Sequence, residues 1–188
     1  MAFYLILRGP LGVGKSTVSA RLAKAIHGAH VSIDRILDEQ GLWESGRLSE
    51  FLRANTFAID RARKILARGT PVIFDGNFYW KSQIEDLIGR LDHLHHVVTL
   101  RAPLKVCIER DAQRHRPHGR EAAREVYAKV ARFEIGIAVD ARGSSEAVVR
   151  KILSRLGLDE AGSGPPRRRR PASHAPGVQR TKALRTLQ

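Results

Sequence analysis

Residues 9–17 of the chain read Gly9-Pro10-Leu11-Gly12-Val13-Gly14-Lys15-Ser16-Thr17. This stretch satisfies the spacing G-x-x-x-x-G-K-[ST], the pattern of a phosphate-binding loop, or P-loop. Its glycines allow the backbone to curl so that successive N–H groups point inward at a phosphate chain, and a following helix adds the positive end of its dipole. Residues 2–8 form an apolar run that predicts a strand, and residues 16–28 predict a helix. The pattern therefore stands in the strand-to-helix context that it requires.

The remainder of the chain alternates between continuous apolar runs and helical patterns. The apolar runs predict further strands at residues 30–33, 71–75, 96–102 and 135–140. The helical patterns cover residues 48–67, 81–92, 103–114, 120–134 and 144–157. Strands that are apolar throughout are typical of a sheet that is buried on both faces. The sequence thus predicts an α/β fold of three layers, with a five-stranded parallel sheet between two layers of helices.

Length and charge divide the 188-residue chain into a domain and a tail. Its net charge is +14, and half of that charge comes from residues 162–188, which hold seven Lys or Arg and no Asp or Glu. This segment is rich in Pro, Gly, Ser and Arg, so ordering it would cost entropy with little burial in return. We expect one globular domain over residues 1–161 and a disordered basic tail over 162–188.

Cysteine content and hydropathy bear on where the protein works. Cys107 is the only cysteine, so no intrachain disulfide can form. No apolar run approaches the length of a transmembrane helix, and the first residues lack the features of a secretory signal. These observations predict a cytoplasmic protein that does not enter a membrane.

The phosphate loop predicts the first set of site residues. Its backbone N–H groups would hold the phosphates of a nucleotide, and Lys15 would reach the β- and γ-phosphates and assist their transfer. The hydroxyl of Ser16 would ligate Mg²⁺. The chain has no Asn-Lys-x-Asp signature of a GTPase, and it is too short to include the helical domain of larger ATPases. Small ATP-dependent kinases are therefore the class that the sequence favours.

Two aspartates follow predicted strands. Asp34 comes after the second strand, at the edge of the sheet where ligands bind in such folds, and could accept the proton of an attacking hydroxyl. It could also cap the helix that follows. Asp75 ends the third strand, which is the Walker B pattern for a carboxylate that positions Mg²⁺. The alternative for Asp75 is a turn formed with the glycine that follows it.

A group of arginines follows the fourth strand. Arg110 and Arg114 are four residues apart and share one helix face, and Arg116 stands beside a break at Pro117 and Gly119. A short, hinged, arginine-lined segment between two helices is typical of a lid that closes over phosphates and stabilises the charge of the transferring group. The alternative is a solvated basic helix that neighbouring acidic residues partly neutralise.

Four segments together resemble a known group of enzymes. They are GPLGVGKST (9–17), VSIDRIL (31–37), LARGTPVIFDGNF (66–78) and LRAPLKVCIERDAQR (100–114). With them, residues 2–157 resemble the small P-loop kinases grouped around chloramphenicol phosphotransferase, zeta toxins and polynucleotide 5′-kinases. The resemblance implies the strand order 2-3-1-4-5, a base at Asp34, and lid arginines at Arg110 and Arg114.

The sequence therefore predicts a kinase that depends on ATP and Mg²⁺ and transfers the γ-phosphoryl group to a hydroxyl of a small molecule or nucleotide-like acceptor. The alternative is a nucleic-acid-associated P-loop NTPase, or a polynucleotide 5′-hydroxyl kinase, whose basic tail attaches to phosphate backbones. The sequence leaves the acceptor and the oligomeric state open.

Overall fold

The structure is a computed structural model that describes residues 2–42 and 46–159. The predicted basic tail, residues 162–188, lies outside the described residues, so its disorder stays a prediction.

The described residues form five strands and seven helices. The strands are β1 (Phe3–Arg8), β2 (Ala29–Ser32), β3 (Val72–Gly76), β4 (Leu94–Arg101) and β5 (Ile137–Asp140). The helices are α1 (Lys15–Ala25), α2 (Ile33–Glu39), α3 (Leu48–Leu66), α4 (Lys81–Arg90), α5 (Leu104–Ala112), α6 (Arg120–Val130) and α7 (Ser145–Leu156). All strand pairs are parallel, and the sheet has the order β2-β3-β1-β4-β5. The predicted fold class and strand order are confirmed.

The central strand β1 explains why the sheet has three layers. All six of its residues are buried, and successive side chains point to opposite faces. Tyr4 and Ile6 pack into a core with α2, α3 and α4. Leu5 and Leu7 pack into a second core with α1, α5 and α7. A strand with two apolar faces fits only between two layers of helices.

The structure adds one helix that the sequence pattern did not separate. The seven-residue α2 begins directly after β2, and Ser32 caps it by accepting a hydrogen bond at Oγ from the backbone N–H of Arg35, at 3.4 Å. Asp34 therefore lies inside the first turn and is not the capping residue, so the capping alternative for Asp34 is wrong. Helix α2 is missed because two turns are too short for a clear helical period.

Among the described residues, no helix has the length and apolarity needed to cross a membrane.

Candidate active site

Three neighbouring strands bring the predicted site residues to one edge of the sheet. The phosphate loop leaves the carboxyl end of β1, Asp34 follows β2 by two residues, and Asp75 lies in β3 opposite Ser32 and Leu7. Because the three strands are parallel and adjacent, their carboxyl ends meet. Segments separated by tens of residues in the chain thus form one site.

The backbone of the loop depends on two of its glycines. Gly12 has φ 78°, and a Cβ there would lie 2.0 Å from the carbonyl oxygen of Cys107 in α5. Gly14 has φ 101° and precedes the first residue of α1, and a Cβ there would meet nothing within 4 Å. Gly12 is therefore required both by its conformation and by the close approach of α5, whereas Gly14 is required by its conformation alone.

Lys15 is buried in the loop and points across to β3. Its Nζ donates to the carbonyl oxygen of Pro10 at 3.1 Å and to Oδ1 of Asn77 at 2.8 Å. Burial lowers the pKa of Lys15, and the carboxylates of Asp34 and Asp75 partly counteract that effect. The ammonium is thus held inside the loop, where it can bind the phosphates of a nucleotide. The contact between Asn77 and Lys15 was not predicted, because the two residues are 62 positions apart in the sequence.

Ser16 and Asp75 form a pair that fits a magnesium ion. The Ser16 hydroxyl donates to Oδ2 of Asp75 at 3.0 Å. A hydroxyl and a carboxylate are oxygen ligands of the kind that Mg²⁺ prefers, and Mg²⁺ in such sites takes its other ligands from phosphates and water. Among the described residues there is no group of three or more His, Cys, Asp or Glu that could hold a metal ion.

His30, which the sequence analysis did not single out, holds the other oxygen of Asp75. Its Nε2 lies 2.7 Å from Oδ1 of Asp75. Burial alone would raise the pKa of Asp75, but the hydrogen bond and charge of His30, the Ser16 hydroxyl and the Lys15 ammonium outweigh burial and lower it. Asp75 therefore stays ionised, which a carboxylate must be in order to bind a metal ion.

Asp34 has the opposite electrostatic environment. Its side chain is half-buried, and its Oδ1 is shielded from solvent without a hydrogen-bond partner among the described residues. Burial raises the pKa of Asp34 to about 6, the nearby Asp75 and Asp38 act in the same direction, and Lys15 opposes them. A carboxylate with a pKa near neutrality is suited to take up a proton during a reaction.

Two clefts meet at the phosphate loop. The first, which we call the acceptor cleft, has a volume of about 480 Å³ and lies between the loop, α2, the end of β3 and α6. It is lined by Leu11, Lys15, Ser16, Asp34, Asp38, Asn77, Tyr79, Arg114, His118, Ala122 and Val126. The second, the nucleotide cleft, has a volume of about 400 Å³ and lies between the loop, α5 and the turn before α7. Gly12, Val13, Gly14 and Thr17 line it from the loop side.

The structure separates the three predicted lid arginines. Arg114 lines both clefts and is the arginine that the fold brings to their junction. Arg110 lines only the nucleotide cleft, and its guanidinium donates to four carbonyl oxygens: those of Val13, Ala141, Arg142 and Gly143.

Arg116 lines neither cleft and is exposed in the turn between α5 and α6. Of the three arginines, only Arg114 is placed to contact groups in both clefts.

Asp111 organises the turn that carries Arg114 and Arg116. It is buried, and its Oδ2 accepts hydrogen bonds from the backbone N–H groups of His118 and Gly119, at 2.9 and 3.0 Å. Its Oδ1 lies 3.2 Å from Nδ1 of His118 and 3.6 Å from Nε of Arg114. A buried carboxylate with several donors fixes a loop. The sequence showed Asp111 only as one of several charges on a helix.

Arg8 fixes the far end of α6. It is fully buried at the end of β1, and it donates to the carbonyl oxygens of Val130 at 2.8 Å and Phe133 at 3.2 Å. Burial, and the charge of Arg101, lower its pKa to about 10. Because α6 forms one wall of the acceptor cleft, Arg8 ties that wall to the strand that carries the phosphate loop.

The family comparison agrees with this geometry. Residues 5–134 match the family described as AAA domain. No curated protein matches the sequence.

Three solved structures illustrate the shared fold. A gluconokinase from Sinorhizobium meliloti 1021 has 18% identity and a TM-score of 0.66, over 82% of this chain and 91% of that chain. A shikimate kinase from Aquifex aeolicus has 20% identity and a TM-score of 0.58, over 87% of this chain and 100% of that chain. The Mycobacterium tuberculosis APS kinase CysC, in complex with AMPPNP and APS, has 12% identity and a TM-score of 0.64, over 83% of this chain and 98% of that chain. The chain thus shares its fold with small P-loop kinases, while the narrower resemblance to the chloramphenicol phosphotransferase group stays a prediction.

Proposed function

The chain belongs to the AAA domain family, and we propose that it is an ATP-dependent kinase that transfers the γ-phosphoryl group to an alcohol. The observation that carries this proposal is the meeting of the two clefts at the phosphate loop. Lys15 lines the acceptor cleft from within the loop, and Arg114 lines both clefts. A nucleotide in one cleft would present its last phosphate to a molecule in the other, which is the arrangement that phosphoryl transfer requires.

Each residue then has a role that its environment supports. Lys15 and the loop N–H groups bind the phosphates, and Arg114 stabilises the charge on the transferring group. Ser16 and Asp75 would hold Mg²⁺, which would supply neutralisation of the phosphate charge. Asp34 accepts the proton of the acceptor hydroxyl as the new O–P bond forms and the bond to the β-phosphate oxygen breaks.

Arg110 has a different role in this proposal. Because its donors already bind the carbonyl oxygens of Val13 and of the turn before α7, we assign it to positioning the nucleotide cleft. Contact of Arg116 with the transferring phosphate, as the sequence predicts, would require the turn between α5 and α6 to move over the loop. Contact of Arg110 would require its guanidinium to leave the carbonyl oxygens that it now binds.

The experiment is transfer of label from [γ-³²P]ATP to pooled alcohols, with sugars, nucleosides, hydroxylated antibiotics and 5′-hydroxyl oligonucleotides in separate pools. Lys15→Ala should abolish labelling while the protein remains folded by circular dichroism. Lys24→Ala is the matched control, because Lys24 is an exposed lysine at the other end of the same helix. Equal labelling by wild type and Lys15→Ala would contradict the proposal.

A second candidate function rests on the charge of residues 162–188. Seven Lys or Arg without an acidic residue would give a salt-dependent, sequence-independent attachment to nucleic acid. In that case the P-loop domain would act as a nucleotide-dependent switch, or would phosphorylate 5′-hydroxyl ends. Deleting residues 162–188 distinguishes the two functions: a small-molecule kinase keeps its rate, whereas a nucleic-acid-associated protein loses its affinity for polyanions.

A further inference from the structure

One side chain of the edge strand β2, that of His30, reaches the candidate metal site. Ser32 of β2 lies opposite Asp75 of β3, and His30 stands two residues before Ser32 on the same face of the strand. The imidazole of His30 extends along the strand, so that its Nε2 lies 2.7 Å from Oδ1 of Asp75. Asp75 is therefore held by a residue that belongs neither to the phosphate loop nor to its own strand.

The two carboxylate oxygens of Asp75 have different partners. Oδ2 accepts a hydrogen bond from the Ser16 hydroxyl at 3.0 Å, and Oδ1 faces His30. An ionised carboxylate can only accept hydrogen bonds, so Nε2 of His30 carries the proton and donates it. Oδ2 is thus the oxygen on the side of the phosphate loop, and a donor on each oxygen fixes the rotation of the carboxylate.

His30 connects this buried carboxylate to the surface of the protein. Asp75 is buried, whereas the side chain of His30 is 27% exposed and lines an open cleft of about 530 Å³ between β2, α2 and α3. A shorter side chain at position 30 would therefore admit water to Oδ1 instead of leaving a closed void, so variants should fold. Lys15 is not free to replace His30, because its Nζ already donates to Pro10 and Asn77. Water can donate to Oδ1, but it does not fix the orientation of the carboxylate.

We propose that His30 is a positioning residue that holds Asp75 with Oδ2 toward Ser16 and thereby strengthens the binding of Mg²⁺. This inference rests on the proposed role of Ser16 and Asp75 in holding Mg²⁺ and deepens it. Hydrogen-bond partners of metal-binding side chains typically contribute about 10- to 100-fold in metal affinity. Because water can partly replace His30 at the open edge, we expect its contribution to be at the lower end, about tenfold.

The test uses the full chain and a fluorescent, non-hydrolysable ATP analogue, titrated once in Mg²⁺ and once in EDTA. The ratio of the two Kd values gives the magnesium-dependent gain in affinity. Glutamine places its amide nitrogen about where Nε2 of histidine lies, whereas the amide of asparagine falls short of that place. His30→Asn should therefore reduce the gain by about tenfold with little change in EDTA, and His30→Gln should retain most of it. His27→Asn is the matched control, because His27 is exposed and its φ of 50° suits asparagine.

Three outcomes would overturn the inference. The first is an unchanged gain in His30→Asn, and the second is a gain in His30→Gln that is as low as in His30→Asn. The third is an equal loss of affinity in Mg²⁺ and in EDTA, which would show that His30 supports the fold and not the metal.

Asp75→Asn, measured in the same way, reports on the proposed metal site itself. Loss of the gain in Asp75→Asn but not in His30→Asn would overturn the role of His30 alone. A wild-type protein without any gain, or a gain that survives Asp75→Asn, would contradict the proposed metal site and the role of His30 with it.

Discussion

Replacing Asp34 with asparagine should stabilise the folded protein at neutral and alkaline pH, although it removes the proposed base. Burial and the neighbouring carboxylates raise the pKa of Asp34 to about 6 in the folded state. In an unfolded chain the pKa of an aspartate is about 3.9. The folded state thus binds the proton more tightly, and the stability contributed at low pH is lost as pH rises from the unfolded to the folded pKa. Asparagine cannot ionise, so the variant avoids this loss.

The magnitude follows from the shift of about two pKa units, each of which corresponds to about 1.4 kcal/mol. At pH 8 Asp34→Asn should exceed the wild type in free energy of unfolding by up to about 3 kcal/mol. About half of this difference should remain at pH 5, and it should vanish below about pH 3, where Asp34 is protonated in both states.

Urea unfolding, followed by circular dichroism at pH 5, 6.5 and 8, measures the difference. Asp60→Asn serves as the control because Asp60 is exposed and its ion pair with Arg63 is long, at 3.8 Å, so its loss should change stability by less than about 0.5 kcal/mol at each pH. A difference between wild type and Asp34→Asn that does not grow with pH would refute the reasoning, since it would mean that ionised Asp34 carries no penalty in the fold.

Three further predictions concern the base, the loop and the lid. The kcat/KM for phosphoryl transfer should rise with pH through a single ionisation near pH 6, because Asp34 must be ionised to accept a proton. A profile that is flat with pH would argue against Asp34 as the base. Gly12→Ala should weaken ATP binding by more than about tenfold, and by more than Gly14→Ala does, because only the methyl group at position 12 would collide with the carbonyl oxygen of Cys107. Titration with a fluorescent ATP analogue compares the two variants. Equal losses of affinity would contradict the packing argument. Asp111→Ala leaves two backbone N–H groups without their acceptor, so it should destabilise the protein by about 1–3 kcal/mol and lower kcat. Urea unfolding measures the stability, and transfer rates measure kcat. An unchanged kcat would show that the turn between α5 and α6 does not need the carboxylate of Asp111.

The fold could be predicted from the sequence because each central strand carries its own signal. The buried residues 3–7 of β1 and 72–74 of β3 are continuous apolar runs in the sequence, and only a sheet covered on both faces buries such runs. The edge strand β2 is only half buried and four residues long, and α2 follows it without a turn. Its boundaries were therefore less clear in the sequence than those of the central strands.

The candidate site could be predicted only in part, because some of its contacts are local in the sequence and others are not. The phosphate loop is a local structure whose glycines and lysine lie within nine residues, so its pattern is complete in the sequence. The contacts of His30 with Asp75 and of Lys15 with Asn77 span 45 and 62 residues. These contacts depend on the strand order, which places β2 and β1 on either side of β3. No local pattern in the sequence predicts them.

The same strand order explains how one edge of the sheet can hold two carboxylates with different properties. Asp75 lies within β3, where His30 from the neighbouring strand and Ser16 from α1 can both reach its oxygens, so it remains ionised despite its burial. Asp34 lies two residues beyond the end of β2, on a helix that supplies no cation to its Oδ1, so burial dominates and its pKa rises. Two carboxylates whose environments move their pKa values apart can serve different roles at one pH. The proposed division between a metal ligand at Asp75 and a base at Asp34 therefore rests on where each residue lies relative to its strand, and exchanging the two proposed roles would require exchanging the two positions.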